Sequence, residues 1–209
     1  MNALCSKCGL EYEVRTYPLI NVGSDPDLKA QVRDGSLFVG ECPYCGSRNL
    51  LKYETIYHDP DEHLMIWLLP EGSPSEEKLH ALEEALNGEL GNYTLRRVSE
   101  VGELIEKVNI FNAGLDDTVI EMCKYVTRME LASTHKNPSL QNVSMKFYRI
   151  DTPDHEMLFS YFLDGEAFTL NVGFNVYEDC RAILSRNPGV IPSTPFPRID
   201  SAWIASVIR

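Results

Sequence analysis

Two copies of one short pattern, thirty-three residues apart, constrain this chain more than anything else in it. They are Cys5-Ser6-Lys7-Cys8-Gly9 and Cys42-Pro43-Tyr44-Cys45-Gly46. Two residues between cysteines let both sulfurs reach one ion while the intervening amides point at the thiolates. The glycine that follows accepts the positive φ that continues the turn without a Cβ clash. Proline at 43 dispenses with a donor and fixes its own φ. Two such knuckles make a tetrahedral site of four sulfurs, Cys5, Cys8, Cys42 and Cys45, whose natural occupant is zinc at about 2.3 Å per bond.

Alternatives to zinc remain open on spacing alone. Two disulfides need an oxidising compartment. A redox dithiol uses a single C-x-x-C that opens a helix, whereas strand-like sequence flanks both pairs here. Iron also suits four thiolates, and glycine-ended knuckles with Tyr12 and Tyr44 nearby resemble a rubredoxin. No flavin- or nicotinamide-binding pattern accompanies them, so zinc is preferred. A closed site leaves no position for water and is structural by default.

The environment expected for these thiols is the cytosol. The N-terminus has no basic and apolar leader. The longest strongly apolar run, Leu64-Met65-Ile66-Trp67-Leu68-Leu69, is far short of the roughly 20 residues that span a bilayer. Clustered cysteines in a reducing compartment read as metal ligands. Of 209 residues, 19 are basic and 31 acidic, for a net charge of −12. That balance disfavours nucleic acid and anionic lipid as partners. Hydrophobic residues make up 44%, enough for a core.

The pattern along the chain predicts an α+β protein with an N-terminal zinc-ribbon-like β module, residues 1–70, followed by helices and a small antiparallel sheet, residues 71–209. In the first part, strands are expected after Gly9 and over Leu37–Val39. Asp25-Pro26 should cap a helix that Gly35 stops. Residues 50–57 and 63–69 should form a hairpin around Asp59-Pro60. Pro70–Pro74 reads as a linker. Ser75 should cap a helix over 76–86, Tyr93–Val98 is strand-like, and Leu104, Ile105 and Val108 mark a short helix. The 3.6-residue period of Leu115, Val119, Met122, Cys123 and Val126 predicts a long one. Thr134–Asn142 reads as a polar loop. Three antiparallel strands follow over 143–150, 157–163 and 167–172, the last two joined at Asp164-Gly165, then a helix over 176–184 and an apolar tail with Trp203.

Residues 71–135 carry 6 basic and 13 acidic side chains, −7 of the total −12. Such a run is expected to be a solvated face, or else a docking surface for a basic partner. Cys123 and Cys180 fall on helical stripes and are expected to be buried packing residues. His58 and His63, with Asp59, Asp61 and Glu62, flank one turn and outline a weak second ion site, although solvated turn residues are the plainer reading. His80, His135 and His155 have no partner at a recognisable spacing. No hydrolase elbow, P-loop, dinucleotide fingerprint or zinc-protease motif occurs.

Several stretches together resemble the CpXC family, named for its C-P-x-C motif. They are Cys5-x-x-Cys8-Gly9, Ile20-Asn21-Val22 followed by Asp25-Pro26-x-Leu28-Lys29, and Gly35-x-Leu37-Phe38 leading into Cys42-Pro43-x-Cys45-Gly46. Further on come Tyr57-His58-Asp59-Pro60, the strand sequence at Arg97 and Val98, Glu103-Leu104-Ile105-Glu106-Lys107, and Gly114-Leu115-Asp116-Asp117 with Ile120, Glu121 and Lys124. The resemblance covers residues 1–130 and departs at the first knuckle, which has Ser6 where the motif has proline. It implies zinc-ribbon-like knuckles and supplies no catalytic residues. The functional expectation is a zinc-binding, non-catalytic interaction or adaptor protein with a protein partner. The other readings are an enzyme with a pocket between the C-terminal strands and the 115–131 helix, a rubredoxin-like iron protein, and nucleic-acid binding through Lys7, Arg48 and Lys52.

Overall fold

The computed structural model describes residues 1–72, 81, 91–151, 155–190 and 194–208. The helix expected over 76–86, the end of the expected linker and His80 lie outside them. The chain divides into two units, Met1–Ile105 and Glu106–Arg209.

The first unit is built from short strands. β1 (Asn2–Leu4) pairs antiparallel with β2 (Glu11–Glu13), and β4 (Val39–Glu41) with β5 (Arg48–Leu50). Each hairpin carries one cysteine pair at its tip. Between them lie β3 (Leu19–Asn21) and α1 (Asp27–Arg33), whose inward residues are Leu28 and Val32. Pro26, rather than Asp25, takes the N-cap position of α1, and no side chain caps it. Leu37 and Phe38 form a single 3₁₀ turn before β4 instead of a strand.

The expected hairpin around Asp59-Pro60 is present as β6 (Thr55–Asp59) and β7 (Leu64–Leu68). Its sheet has the order β3-β6-β7-β8, with β8 at Thr94–Val98. Both outer pairings, β3 with β6 and β7 with β8, are parallel. Every residue of β7 is buried, as a central strand covered on both faces demands. β8 adds directly to β7 and so lies in the first unit, Met1–Ile105. Asp59, 2% exposed, accepts from Tyr57 Oη (3.0 Å) and the Glu62 amide (3.2 Å) and pairs with Lys29 of α1 (2.9 Å).

The second unit places helices against a three-stranded antiparallel meander, β9 (Met145–Asp151), β10 (Glu156–Leu163) and β11 (Glu166–Gly173), in the order β11-β10-β9. Asp164 and Gly165, both at positive φ, make the tight turn between β10 and β11. α2 (Val101–Asn112) enters this unit from the first. α3 (Asp117–Thr134), α4 (Phe174–Ser185) and α5 (Ser201–Val207) complete it. The Asp116 carboxylate caps α3 by accepting from the Thr118 amide (2.8 Å). Ile120, Cys123, Met157, Phe159 and Ile204 are at the centre of its core. The apolar tail is helical because Asp200 caps it through the amides of Ala202 and Trp203.

In this unit the acidic run is partly buried, with only Asp116 and Glu130 of its acids exposed among the described residues. Glu106, Asp117 and Glu121 are buried, as are Lys107, Lys124 and Arg128. Lys124 bridges Glu106 (2.9 Å) and Glu121 (2.6 Å), and Lys107 binds Asp117 (2.7 Å) and the Ile199 carbonyl (2.7 Å). Glu106 also accepts from the Phe147 amide of β9 (2.8 Å) and pairs with Lys146. Each acid is matched by a base because an unpaired buried charge would neutralise itself or unfold the site.

Candidate metal centre

The two knuckles are built alike. In the first, the Gly9 amide donates to the Cys5 carbonyl (3.0 Å) and the Cys5 amide to the Leu10 carbonyl (3.0 Å). In the second, the Gly46 amide donates to the Cys42 carbonyl (2.9 Å) and the Cys42 amide to the Ser47 carbonyl (2.9 Å). Gly9 (φ 71°) and Gly46 (φ 67°) take the left-handed conformation that closes each turn. These bonds curl the backbone round its sulfurs. The amides of Cys8 and Lys7 point at Cys5 Sγ, that of Leu10 at Cys8 Sγ, and that of Ser47 at Cys45 Sγ.

The sequence-predicted ligands converge. The four Sγ atoms lie within 4.8 Å of one another. Cys5 and Cys45 are 3.6 Å apart, and Cys8 and Cys42 are 3.7 Å apart. A disulfide needs about 2.05 Å. A tetrahedron with bonds of about 2.3 Å has edges of about 3.8 Å, so the spacing fits four thiolates around one ion. Cys5 and Cys42 are buried, Cys45 is half-buried and Cys8 is exposed.

Electrostatics point the same way. The amides of Cys8 and then Lys7 pull the Cys5 thiol down to about 6, against the cost of burial. The Ser47 amide also favours the Cys45 thiolate, yet burial and the neighbouring sulfurs of Cys5, Cys8 and Cys42 push that thiol up to about 12. Cys8 is raised too, by burial and by Cys5 and Cys42, despite the Leu10 amide. Thiolates held this close repel one another, and a cation among them would offset that repulsion. The donor set is soft, and its charge would be met by a divalent metal.

Two side chains join the hairpins, one of them, Asn49, with no mark in the sequence. Tyr12 Oη donates to the Gly40 carbonyl (3.2 Å). Gly40 is crowded: a Cβ there would lie 3.0 Å from both Leu51 Cδ2 and Tyr12 Oη, so those side chains would have to give way. Asn49, 8% exposed, reaches from β5 to the first knuckle. Its Oδ1 accepts from the amide (2.9 Å) and hydroxyl (2.8 Å) of Ser6.

The other candidates behave differently. His58 Nε2 hydrogen-bonds Tyr93 Oη at 3.0 Å, and the ring of His63 packs against the same tyrosine. Among the described residues, only the four cysteines bring three or more ligating side chains together, and the side chains of the turn at 58–63 are not among them. Cys123 and Cys180 are buried in the core of the second unit. Between α3 and β11 lies a groove of about 320 Å³ bordered by Thr127, Glu130, Leu131, Asn171 and Val176. No helix of the described residues is long and apolar enough to cross a membrane.

No curated protein and no solved structure matches the chain. A family model described as CpXC protein matches residues 3–124, spanning both knuckles and the stretch that supplies Glu106, Lys107, Asp117, Glu121 and Lys124. On that match, and with the cysteines it is named for gathered at one point, the chain belongs to the CpXC family.

Proposed function

We propose that the chain is a zinc protein in which Cys5, Cys8, Cys42 and Cys45 hold one structural ion, making the N-terminal knuckles a zinc-ribbon-like platform for a protein partner in the cytosol. The convergence of four sulfurs from two distant hairpins, with paired edges of 3.6 and 3.7 Å, carries this reading. Four protein ligands leave no open position for substrate or water, so the ion's role is to hold structure rather than to act as a Lewis acid. The docking role draws support from apolar side chains left exposed beside the ligands, Leu4, Leu10 and Tyr44.

Elemental analysis of the purified full-length protein, with an absorption spectrum, tests the metal. One zinc per chain and no visible bands are expected. Visible thiolate-to-iron charge-transfer bands would establish iron instead, and a metal content unchanged in Cys42→Ser would refute the ligand set. The partner is tested by affinity capture from the native lysate. A saturable partner lost on mutation of Leu4 and Tyr44 to serine is expected, and a chain recovered alone would overturn the interaction role.

A further inference from the structure

Asn49 is a polar residue at the inward position of a three-residue strand, with exposed Arg48 and Leu50 on either side. A buried amide costs free energy unless it is hydrogen-bonded. Its carboxamide has two donors and an acceptor oxygen with two lone pairs, and all four are used. Oδ1 accepts from the Ser6 amide (2.9 Å) and the Ser6 hydroxyl (2.8 Å). Nδ2 donates to the Ser47 carbonyl (2.9 Å) and to Cys5 Sγ (3.7 Å). Turning the amide over would set its NH₂ against the Ser6 N–H, so only one orientation satisfies every group.

The first knuckle departs from the second at the same point. Pro43 follows Cys42, whereas Ser6 follows Cys5, and a proline at 6 would have no N–H to give. Serine in the first knuckle and asparagine at 49 are thus two halves of one arrangement. Resting on the metal reading above, we propose that Asn49 is a positioning residue for the four-thiolate site: it ties the first knuckle to the second and holds an N–H on the Cys5 sulfur. The sulfurs are then gathered before the ion arrives, and part of the negative charge on Cys5 is met by the protein itself. Groups that orient metal ligands in this way typically contribute 10–100-fold to affinity.

The test uses the full chain with zinc as probe, in competition with a chromophoric chelator, and cobalt(II) as a spectroscopic reporter. Asn49→Leu removes all four bonds. Asn49→Asp keeps the size but turns a carboxylate oxygen toward the Ser47 carbonyl and Cys5. Ser6→Pro removes both Ser6 donors, and Ser6→Ala spares the N–H. Expected are a 10–100-fold weaker zinc affinity in the first three, a smaller loss in Ser6→Ala, and one ion per chain throughout. The thiolate-to-cobalt charge-transfer band should move to lower energy in Asn49→Leu, a shift that a merely structural residue would not cause. Amide exchange in β6 and β7, the central strands of the same unit, checks that each variant is folded. If Asn49→Leu does not fold, Asn49→Asp and Ser6→Pro decide the matter. Affinities within twofold of the parent, with an unmoved band, overturn the role of Asn49 alone. A parent chain that takes up neither ion overturns the metal reading and this assignment together.

Discussion

Replacing Cys42 with serine removes one of the two buried ligands and tests how much the knuckles depend on the ion. The two hairpins around the site have three residue pairs each, and isolated two-stranded hairpins are marginal in water. Four hydrogen bonds described above cross between them: Tyr12 to Gly40, two from Ser6 to Asn49, and Asn49 to Cys5. At about 1 kcal/mol net each, they supply about 4 kcal/mol. Structural zinc contributes about 10–16 kcal/mol in small finger peptides, so an ion held as proposed would stabilise the pair of hairpins more than these bonds do. Hydrogen exchange read by mass spectrometry, with and without excess zinc, is the assay. In Cys42→Ser, the hydrogen-bonded amides of Cys5, Gly9, Cys42 and Gly46 should exchange at least 100-fold faster, the equivalent of about 2.7 kcal/mol of local opening. Amides of β9–β11 in the second unit should change by less than twofold. Knuckle amides as protected as in the parent would refute the reasoning, because the protein contacts alone would then suffice.

Other perturbations separate the remaining contributions. Gly40→Ala should destabilise the first unit by about 1–3 kcal/mol, since its Cβ would meet Leu51 and Tyr12 at 3.0 Å; the denaturant midpoint of that unit reads this. Tyr12→Phe keeps the ring and should cost about 1 kcal/mol by the same measurement. Lys124→Met leaves Glu106 and Glu121 buried without their shared cation and should cost about 3–5 kcal/mol in the second unit, visible as a lower melting temperature. Acid should also weaken that unit through Glu106. Burial opposes ionisation there, but Lys124, Lys146 and Lys107 outweigh it and hold the carboxyl below its usual range. A lowered folded-state value gives stability that is complete above the unfolded carboxyl range, about 4.3, and is lost as pH falls through the folded value. Thermal melts between pH 7 and 3 should show the fall, and Glu106→Gln should flatten it.

Legibility in the sequence followed the range of each interaction. The knuckles could be read because ligand, turn glycine and spacing lie within five residues of one another. The Asp164-Gly165 turn and the period of α3 were visible for the same reason. Asn49 was not, since its partner Ser6 lies 43 positions away and a lone asparagine in a short strand carries no local signature. The parallel pairing of β8 with β7 was equally hidden, because nothing within Thr94–Val98 names a neighbour. The acidic run over 71–135 suggests a solvated face because acids usually are exposed, yet Glu106, Asp117 and Glu121 within it are buried. Only the tertiary structure brings Lys107, Lys124 and Lys146 against them. One cue was present: Glu121 and Lys124 are three residues apart on a helix, the spacing of an ion pair.

The distance along the polypeptide between Cys5 and Cys45, 40 residues, also has a consequence during synthesis. At ribosomal speeds of about 5–20 residues per second, the leading two thiols emerge roughly 2–8 seconds before the trailing pair can join them. Throughout that interval an ion arriving at the proposed site would find half a coordination sphere. On the proposed reading, the nascent segment would have to pass through that interval reduced, with metal and reductant at hand while translation is under way.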